Sequence, residues 1–345
     1  MKKITSNDIA KMAGVSRSTV SRVINGYTNI PPETRNKVMK IIQENHYYPQ
    51  LSGQLLTGKQ MNTIGFFWAS GGNIANNPLT SSFFVNTIEA AASRRYLVLT
   101  CILNDLTSDD NINYVKKIFM EGRIDAGIIV GAENNEPFID ELLGLGKIVG
   151  LFDYYHDCED IPNRVTVNFD QNSGEQAIDY LYGLGHRKIG IIDGKMSRYS
   201  SMQRHEGYLR GMIKHNLPIQ NKWLCYGGIT EESGYEAARL LLENCNGDYP
   251  TALCASNDSV AFGVYKACSD FGLKIPEDIS VIGNDGSITG EHSTPPLTTI
   301  AFDFKDMFYS LVLRVIDVIN DKEDVARDAF IPGIFIERES CRRIN

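Results

Sequence analysis

The chain of 345 residues lacks the features of membrane-spanning, secreted and disulfide-stabilised proteins. It has no run of eighteen apolar residues, which excludes a predicted transmembrane helix. Its first residues turn polar at once, so we predict no signal peptide, no membrane partner and a cytoplasmic location. The seven cysteines are an odd number, scattered without a C-x-x-C pair. This pattern is typical of reduced thiols in packed cores and not of a disulfide framework or a zinc site.

The motifs that mark common enzyme classes are missing as well. There is no Walker A sequence and no G-x-S-x-G, and the six histidines show no metal-ligand spacing. The glycines of the segment 144–150 follow a predicted helix and lead into a strand, the reverse of the order that binds a dinucleotide phosphate. We therefore predict a protein that is not an enzyme, with no catalytic residue, no metal and no cofactor.

Charge is distributed unevenly along the chain. Residues 1–60 contain nine Lys and Arg against three acidic residues, a charge of +6, whereas the whole chain carries −8. The remainder is therefore strongly acidic, at −14. A small basic module joined to a large acidic one indicates that the basic part meets a polyanion, which would repel the acidic part.

The basic segment has the pattern of a helix-turn-helix. Residues 5–13 form a predicted short helix with an N-cap at Thr5 or Ser6, ended by a glycine. Residues 17–25 form a second predicted helix, ended by Gly26. A third helix is predicted from Pro31 or Pro32 to about residue 45.

One face of the second helix suits the major groove of DNA. Three residues at i, i+3 and i+4 point inward: Val20, Val23 and Ile24. The outward side chains are hydrogen-bonding groups: Arg17, Ser18, Ser21, Arg22 and Asn25. Arginine can bind guanine through two hydrogen bonds and asparagine can pair with adenine, so this face can read bases.

The string IAKMAGVSRSTVSRVING (9–26), followed by PPETRNKV and YYPQ, closely resembles the LacI/GalR family of bacterial transcription regulators. The resemblance implies that the bases are contacted by Arg17, Ser18 and Arg22, and the phosphates by Thr19, Ser21 and Asn25. It also implies a hinge over residues 47–61 that is helical on DNA, with Leu56 wedged into the minor groove. An exposed leucine in a polar linker fits that role, because apolar wedges unstack base steps.

From residue 62 onward the pattern alternates short apolar runs with longer amphipathic stretches. We predict strands at 63–68, 96–102, 126–130, 147–152, 165–168, 188–193, 252–256 and 280–284. Helices are predicted between them, near 82–94, 111–121, 137–143, 172–184, 201–215, 231–244, 259–271 and 304–320. Repeated βα units form parallel sheets with helices on both faces. The fold class is thus an N-terminal all-α helix-turn-helix domain plus an α/β domain of two parallel-sheet lobes.

The predicted domain boundaries follow from this pattern. Residues 1–46 form the helix-turn-helix domain, 47–61 the hinge and 62–345 the effector-binding and dimerisation domain. The last is divided into lobe one, about 62–162 and 294–322, and lobe two, about 163–293 and 323–345. The facing ends of the strands form the expected ligand cleft.

The acidic part of the chain, from residue 62 onward, resembles the effector domain of the same family, which is similar to periplasmic sugar-binding proteins. The stretches GHRKIGIIDG (185–194), PTALCASNDSVAFGVYKA (250–267) and GLKIPEDISVIGNDGS (272–287) carry this resemblance. It implies an effector site formed by Asp153, Arg204, Asn257, Asp285 and Phe304. Charged and amide groups can pair with vicinal hydroxyls, and an aromatic ring stacks on the C–H face of a sugar ring.

Several site residues have alternative interpretations. Arg204 can pair structurally with Asp193 or Glu206, and Asp258 is expected to cap the helix that follows it. Ile229 stands where the family often has a stacking aromatic residue.

The resemblance predicts a homodimeric repressor that binds a double-stranded, near-palindromic DNA operator. It would control carbohydrate uptake or catabolism genes in response to a small sugar or glycoside between the lobes. The alternative effectors are a purine, a phosphorylated metabolite or a protein corepressor. A sugar-binding protein or an enzyme on the same fold is the remote alternative.

Overall fold

The computed structural model describes residues 4–24, 26–47, 60–69, 78–103, 106, 108–157 and 161–344. The chain divides into two compact units, residues 1–61 and residues 62–345. Most of the predicted hinge, including Leu56, lies outside the described residues. None of the helices in the described ranges is long and apolar enough to cross a bilayer.

The first unit contains three helices close to the predicted positions: α1 (Ser6–Ala13), α2 (Arg17–Ile24) and α3 (Pro32–Glu44). Thr5 and Asp8 form a capping box at the start of α1. Gly14 ends α1 with a φ of 68°, the left-handed conformation in which glycine carries no Cβ penalty. The small core that joins the helices consists of Ile9, Ala10, Ala13, Val20, Val23 and Val38.

The second unit contains two six-stranded sheets in the described part of the chain. The first sheet consists of β1 (Thr63–Trp68), β2 (Leu97–Ile102), β3 (Ala126–Val130), β4 (Ile148–Phe152), β5 (Arg164–Phe169) and β11 (Asp328–Ile331). The second consists of β6 (Ile189–Asp193), β7 (Leu224–Tyr226), β8 (Ala252–Ala255), β9 (Ser280–Asp285), β10 (Thr298–Ala301) and β12 (Ile334–Ile336).

Helices connect the strands, as the βα pattern predicts. They are α4 (Pro78–Ser93), α5 (Asp109–Met120), α6 (Pro137–Gly144), α7 (Ser173–Gly183), α8 (Tyr199–Lys214), α9 (Glu231–Asn244), α10 (Asp258–Asp270), α11 (Ile288–Glu291) and α12 (Phe304–Ile319). The first sheet has the order β11-β5-β4-β3-β1-β2, with every pair parallel. The second has the order β12-β10-β9-β8-β6-β7, and its β12 edge alone is antiparallel.

Burial of the central strands explains their composition. Every residue of β3 is buried, and so is every residue of β6. A strand covered by helices on both faces has no solvent side, so its sequence is a continuous apolar run without alternation. The described cysteines are unpaired, and four of them are buried: Cys101, Cys245, Cys254 and Cys268.

The predicted lobe boundaries are wrong at three strands. β5 lies in the first sheet, although residues 163–293 were assigned to lobe two. β10 pairs with β9 of the second sheet, although 294–322 were assigned to lobe one. β11 pairs with β5 of the first sheet, although 323–345 were assigned to lobe two. β11 pairs with a strand distant in sequence, whereas β5 and β10 each pair with the strand that precedes them in the chain. The local apolar pattern that set the boundaries does not show which sheet a strand joins.

The chain crosses between the sheets three times, after β5, after β10 and after β11. The return after β10 leads into α12, which packs on β3, β4 and β5 of the first sheet. Two of the crossings lie against each other, because the rings of Phe169 and Phe302 have centroids 4.7 Å apart. The three crossings that the predicted lobe boundaries imply are therefore present, but they follow β5, β10 and β11 at one side of the two sheets.

Candidate functional sites

The predicted base-reading face of α2 is on the surface. Arg17, Ser18, Ser21 and Arg22 are exposed and Thr19 is half-buried, whereas Val20 and Val23 are buried in the core of the first unit. The 3.6-residue period places these two sets on opposite sides of the helix. Asn25, the remaining predicted phosphate contact, lies outside the described residues.

Hydrogen bonds at the start of α2 link side chains of this face to the helix cap and to α1. The Thr19 N–H donates to Ser16 Oγ at 3.1 Å, so Ser16 caps the helix. Ser16 Oγ also lies 2.7 Å from Ser18 Oγ. Arg17 Nε donates to Ser6 Oγ at 3.2 Å, which links the start of α2 to α1. Within the described ranges, no other hydrogen bond of the Arg17 guanidinium group occurs, which leaves its remaining N–H groups to a ligand.

The second unit contains a cavity of about 160 Å³. All five predicted effector residues line it: Asp153, Arg204, Asn257, Asp285 and Phe304. They come from five separate segments, three of which follow or end a β-strand. The structure therefore brings the five positions together where carboxyl ends of the strands meet, the usual ligand location in open parallel sheets.

Aromatic side chains form one wall of the cavity. The ring centroid of Phe304 lies 5.1 Å from that of Phe83 and 6.1 Å from that of Phe169. Phe83 also packs on Phe152, at 5.5 Å. Trp68 lines the same space. This wall presents apolar surface and ring edges to a ligand.

Asp153 joins the first sheet to the second across the cavity. It follows β4 with a φ of 56°. The backbone N–H of Ser200, in the first turn of α8, donates to Asp153 Oδ1 at 2.7 Å, and the Ser200 hydroxyl donates to Oδ2 at 2.9 Å. Desolvation raises the pKa of Asp153, and the charge of Arg198 and the Ser200 hydrogen bonds only partly oppose this.

Arg204 projects from α8 into the cavity and is only 6% exposed. Its Nε has no hydrogen-bond partner in the described part of the chain. No hydrogen bond or ion pair joins Arg204 to Asp193 among the described residues, although the Arg204 charge acts to lower the Asp193 pKa; Asp193 Oδ2 accepts from His205 Nδ1 at 2.7 Å. Burial raises the pKa of Asp193 despite that histidine. A buried guanidinium group with an unused donor is a candidate binding group.

Asn257, and not Asp258, caps the start of α10. Asn257 is the N-cap, with Oδ1 accepting from the Val260 N–H at 2.7 Å, and its Nδ2 donates to the Ile229 carbonyl at 3.0 Å. Asp258 instead accepts from the Ser287 N–H at 2.6 Å and from Thr299 Oγ1 at 2.7 Å. The prediction that Asp258 caps the helix is therefore wrong, because the cap position falls one residue earlier.

Asp285 ends β9 and lines the cavity with a φ of 127°. Desolvation raises the pKa of Asp285 well above its usual value, and the nearby Asp258 carboxylate raises it further. The neutral acid, which can both donate and accept a hydrogen bond, is thus favoured at this position.

The sequence analysis missed several lining residues, among them Trp68, Phe152, Phe169, Arg198, Ser200 and Ser256. Most of them occupy the last position of a strand, the position after it or the start of the next helix. That position is the signal that could have found them, because the residues at the carboxyl ends of parallel strands face one cleft.

Contacts between the lobes continue beside the cavity. Glu133, which follows β3, forms an ion pair with Lys195, which follows β6. The Asn134 N–H donates to the Ser197 carbonyl at 2.8 Å. The hydrogen bond from Lys195 lowers the pKa of Glu133. These contacts join the two lobes close to Arg198.

The chain combines a helix-turn-helix unit with a second unit that has a ligand-sized cavity between its two sheets. This combination is typical of DNA-binding regulators with a separate effector domain. The family described as "Bacterial regulatory proteins, lacI family" matches residues 5–50, and "Periplasmic binding protein-like domain" matches residues 178–341. The chain belongs to the LacI family.

Similar proteins span the whole chain. The probable HTH-type transcriptional repressor ExuR of Bacillus subtilis (strain 168) is 31% identical over 99% of both chains. The HTH-type transcriptional repressor PurR of Serratia proteamaculans (strain 568) is 30% identical over 97% of this chain and 96% of its own. A crystal structure of the lac repressor dimer bound to operator and the anti-inducer ONPF has a TM-score of 0.79 at 25% identity, covering 99% and 100% of the two chains.

These relationships confirm the predicted family, the fold class and the prediction of a transcriptional repressor that is not an enzyme. Repressors of this family bind operator DNA and small-molecule effectors and act as dimers.

Proposed function

We propose that this protein is a homodimeric repressor of genes for carbohydrate uptake or catabolism, controlled by a small sugar or glycoside bound in the cavity of the second unit. Arg17, Ser18 and Arg22 read bases of a near-palindromic operator, and Thr19, Ser21 and Asn25 contact its phosphates. A regulator of chromosomal genes acts in the cytoplasm.

The observation that carries the effector proposal is the two-sided lining of the cavity. The apolar part of the lining contains Phe83, Phe169 and Phe304. The polar part contains hydrogen-bonding groups, among them Asp153 and Arg204. A pyranose has the same division, with C–H groups on its ring faces and hydroxyls around its edge. The cavity of about 160 Å³ is smaller than the roughly 300–1,000 Å³ of typical ligand pockets, which favours a single ring.

The effector acts by stabilising one arrangement of the lobes. Asp153 with Ser200, and Glu133 with Lys195, join residues of the two lobes at the cavity. A ligand that touches both lobes binds one arrangement better than the other, and only that difference in affinity shifts the equilibrium. A complete switch, from 1:99 to 99:1, needs about 5.5 kcal/mol of differential binding.

A purine is the second candidate effector. One of the relatives, 30% identical, has the name PurR. The rings of Trp68 and Phe304 offer a stacking surface for a flat base, and Asn257 and Asp285 offer hydrogen-bonding groups.

A thermal-shift screen of the purified protein against monosaccharides, glycosides, purines and sugar phosphates tests the effector class. A ligand that binds the folded state raises the melting temperature with its concentration. We expect shifts from single-ring sugars or glycosides. Shifts from purines alone would replace the sugar by the second candidate.

Arg204→Ala and Asp285→Ala test whether the cavity is the effector site. Loss of one hydrogen-bonding partner leaves buried polar groups unpaired, at about 1–3 kcal/mol, so the ligand affinity falls by roughly one to two decades. Ligand-free operator binding is retained. Arg239→Ala is the matched control, because Arg239 pairs with Glu236 and Glu243 on the outer face of α9. Unchanged ligand affinity in both cavity variants would place the effector site elsewhere.

The DNA-binding proposal is tested by the salt dependence of operator binding. If roughly six to ten phosphates are neutralised, the affinity falls about 10³- to 10⁵-fold between 50 and 200 mM salt. Gel-shift titrations on a near-palindromic duplex measure this slope. Binding that does not respond to salt, or a monomer on one half-site, contradicts the proposal.

A further inference from the structure

One oxygen of a buried carboxyl group behind the cavity has no partner. Asp193, the last residue of β6, is 2% exposed, and its Oδ2 accepts a hydrogen bond from His205 Nδ1 at 2.7 Å. Its Oδ1 is buried without a hydrogen bond in the described part of the chain. The next residue, Gly194, packs against Ser201 and Ser256, which line the cavity. Buried polar atoms are normally satisfied, so this oxygen points to a donor that reaches it in another arrangement of the site.

The residue before His205 has a matching unused donor. Arg204 is buried, and its Nε lacks a hydrogen-bond partner among the residues that the structure describes. Burial raises the pKa of Asp193, and the charges of His205 and Arg204 both oppose this effect. A buried donor and a buried acceptor, each without a partner, therefore lie within electrostatic reach of each other.

The other carboxyl groups near Arg204 are less able to accept from it. The charge of Arg204 also reaches Asp153 and Asp285. Both oxygens of Asp153 already accept hydrogen bonds from Ser200. Burial raises the pKa of Asp285 well above its usual value, so the neutral acid is favoured there. Asp193 is therefore the carboxyl group that offers Arg204 an open oxygen.

The remaining titratable side chains that face Asp193 and His205 in the described ranges are two tyrosines and a cysteine. Tyr226 of β7 has its ring centroid 6.5 Å from that of His205. Tyr208 of α8 and Cys254 of β8 are buried near Asp193, and desolvation raises the pKa of both well above the usual values. Histidine is the side-chain type in this group whose charge changes between pH 5 and 8.

We propose that Asp193 is a positioning residue that draws Arg204 away from the cavity when His205 loses its proton. With a charged His205, Asp193 has a cationic partner and Arg204 faces the cavity, which is the arrangement in the structure. With a neutral His205, a charge-assisted hydrogen bond from Arg204 Nε to Asp193 Oδ1 satisfies both unpartnered atoms. On the proposed function, on which this inference rests, effector binding then weakens as the pH rises.

Crystal structures of the ligand-free, full-length protein at pH 5 and pH 8 test this movement, since histidine changes its charge between these values. In solution, the arginine 1H–15Nε spectrum follows the same donor, and the Arg204 signal is assigned by its absence in Arg204→Lys. The variants are Asp193→Asn and His205→Gln. His215→Gln is the matched control, because His215 directly follows α8 and pairs with Asp179 at 2.6 Å.

In the wild type we expect Arg204 Nε to face the cavity at pH 5 and to lie within about 3.2 Å of Asp193 Oδ1 at pH 8. Asp193→Asn keeps Arg204 in the cavity at both pH values, because the carboxylate charge is lost. His205→Gln keeps Arg204 on Asp193 at both, and His215→Gln behaves as the wild type. Thermal melts show whether each variant is folded.

Two results overturn the inference. One is a wild-type Arg204 that stays in the cavity at both pH values, and the other is a pH response that survives in Asp193→Asn. No effector enters these measurements, so either result leaves the proposed effector class untouched. A thermal-shift screen without a sugar hit would overturn the sugar effector and not the movement of Arg204.

Discussion

Asp153 and Ser200 connect the two lobes through a pair of hydrogen bonds, with the backbone N–H of Ser200 2.7 Å from Oδ1 and its hydroxyl 2.9 Å from Oδ2. Asp153 follows a strand of the first sheet, and Ser200 lies in the first turn of a helix that follows a strand of the second. The positive end of the helix dipole adds to the attraction for the carboxylate. A cavity residue therefore also contributes to the contact between the lobes.

Ser200→Ala removes the hydroxyl contact and keeps the backbone one. We expect the free energy of unfolding to fall by about 1–3 kcal/mol, because a hydrogen bond to a desolvated carboxylate is lost. Urea denaturation measures the change. Ser269→Ala, on the exposed face of α10, is the control and should stay within about 0.5 kcal/mol of the wild type. Equal stability of the two variants would show that the hydroxyl contact contributes nothing.

Gly174→Ala should displace the helix that carries Arg204. A Cβ at Gly174 would lie 2.2 Å from the Arg204 carbonyl oxygen and 2.8 Å from the Tyr208 nitrogen, so α7 and α8 would have to separate. We expect a loss of about 1–3 kcal/mol of stability and weaker effector binding.

Gly183, at the other end of α7, provides the matched control for Gly174. A Cβ there meets nothing within 4 Å. Gly183→Ala should be neutral or stabilising by up to about 1 kcal/mol, because alanine is the better helix former. Chemical denaturation of both variants checks the comparison, and similar stability of the two would contradict the close helix contact.

Asp285→Asn should make the protein more stable at pH 7. A carboxyl group whose pKa is raised in the folded state contributes stability below its unfolded pKa, and loses it as the pH rises through the folded value. Asparagine is neutral at every pH. The extra stability of Asp285→Asn over the wild type should therefore shrink as the pH falls towards the unfolded pKa of about 3.9.

Thermal melts between pH 4.5 and 8 measure this difference for Asp285→Asn. Asp324→Asn is the control, because Asp324 is exposed and also has a positive φ, 58°. A wild type that is as stable as Asp285→Asn at pH 7 would mean that the charged carboxylate is not disfavoured in the fold.

Arg22→Ala should relax the base preference at one position in each half-site of the operator. Loss of the paired hydrogen bonds to guanine lowers the free-energy difference between the correct and an incorrect base by roughly 1–3 kcal/mol. Lys37→Ala, on the exposed surface of α3, should weaken binding to all sequences about equally. Selection from a random duplex library compares the preferences, and an unchanged operator pattern for Arg22→Ala would rule out base reading.

Local chemistry in the sequence was enough to predict the longer helices and eight of the strands. The capping residue Thr5 and the glycine at 14 marked both ends of α1, and the strands β1 and β3 begin and end at the predicted residues. Caps, turns and apolar periodicity act between residues a few positions apart, so they are readable without the fold. The resemblance to the family supplied the five positions that line the cavity.

Only the tertiary structure decided how these elements combine. The short strands β7, β10, β11 and β12 are not among the predicted strands, and each forms by pairing with another strand of its sheet. The same strand pairing determined the lobe boundaries. It also placed Arg198 and Ser200 beside Asp153, because the neighbours of a cavity residue depend on which strand ends meet in space.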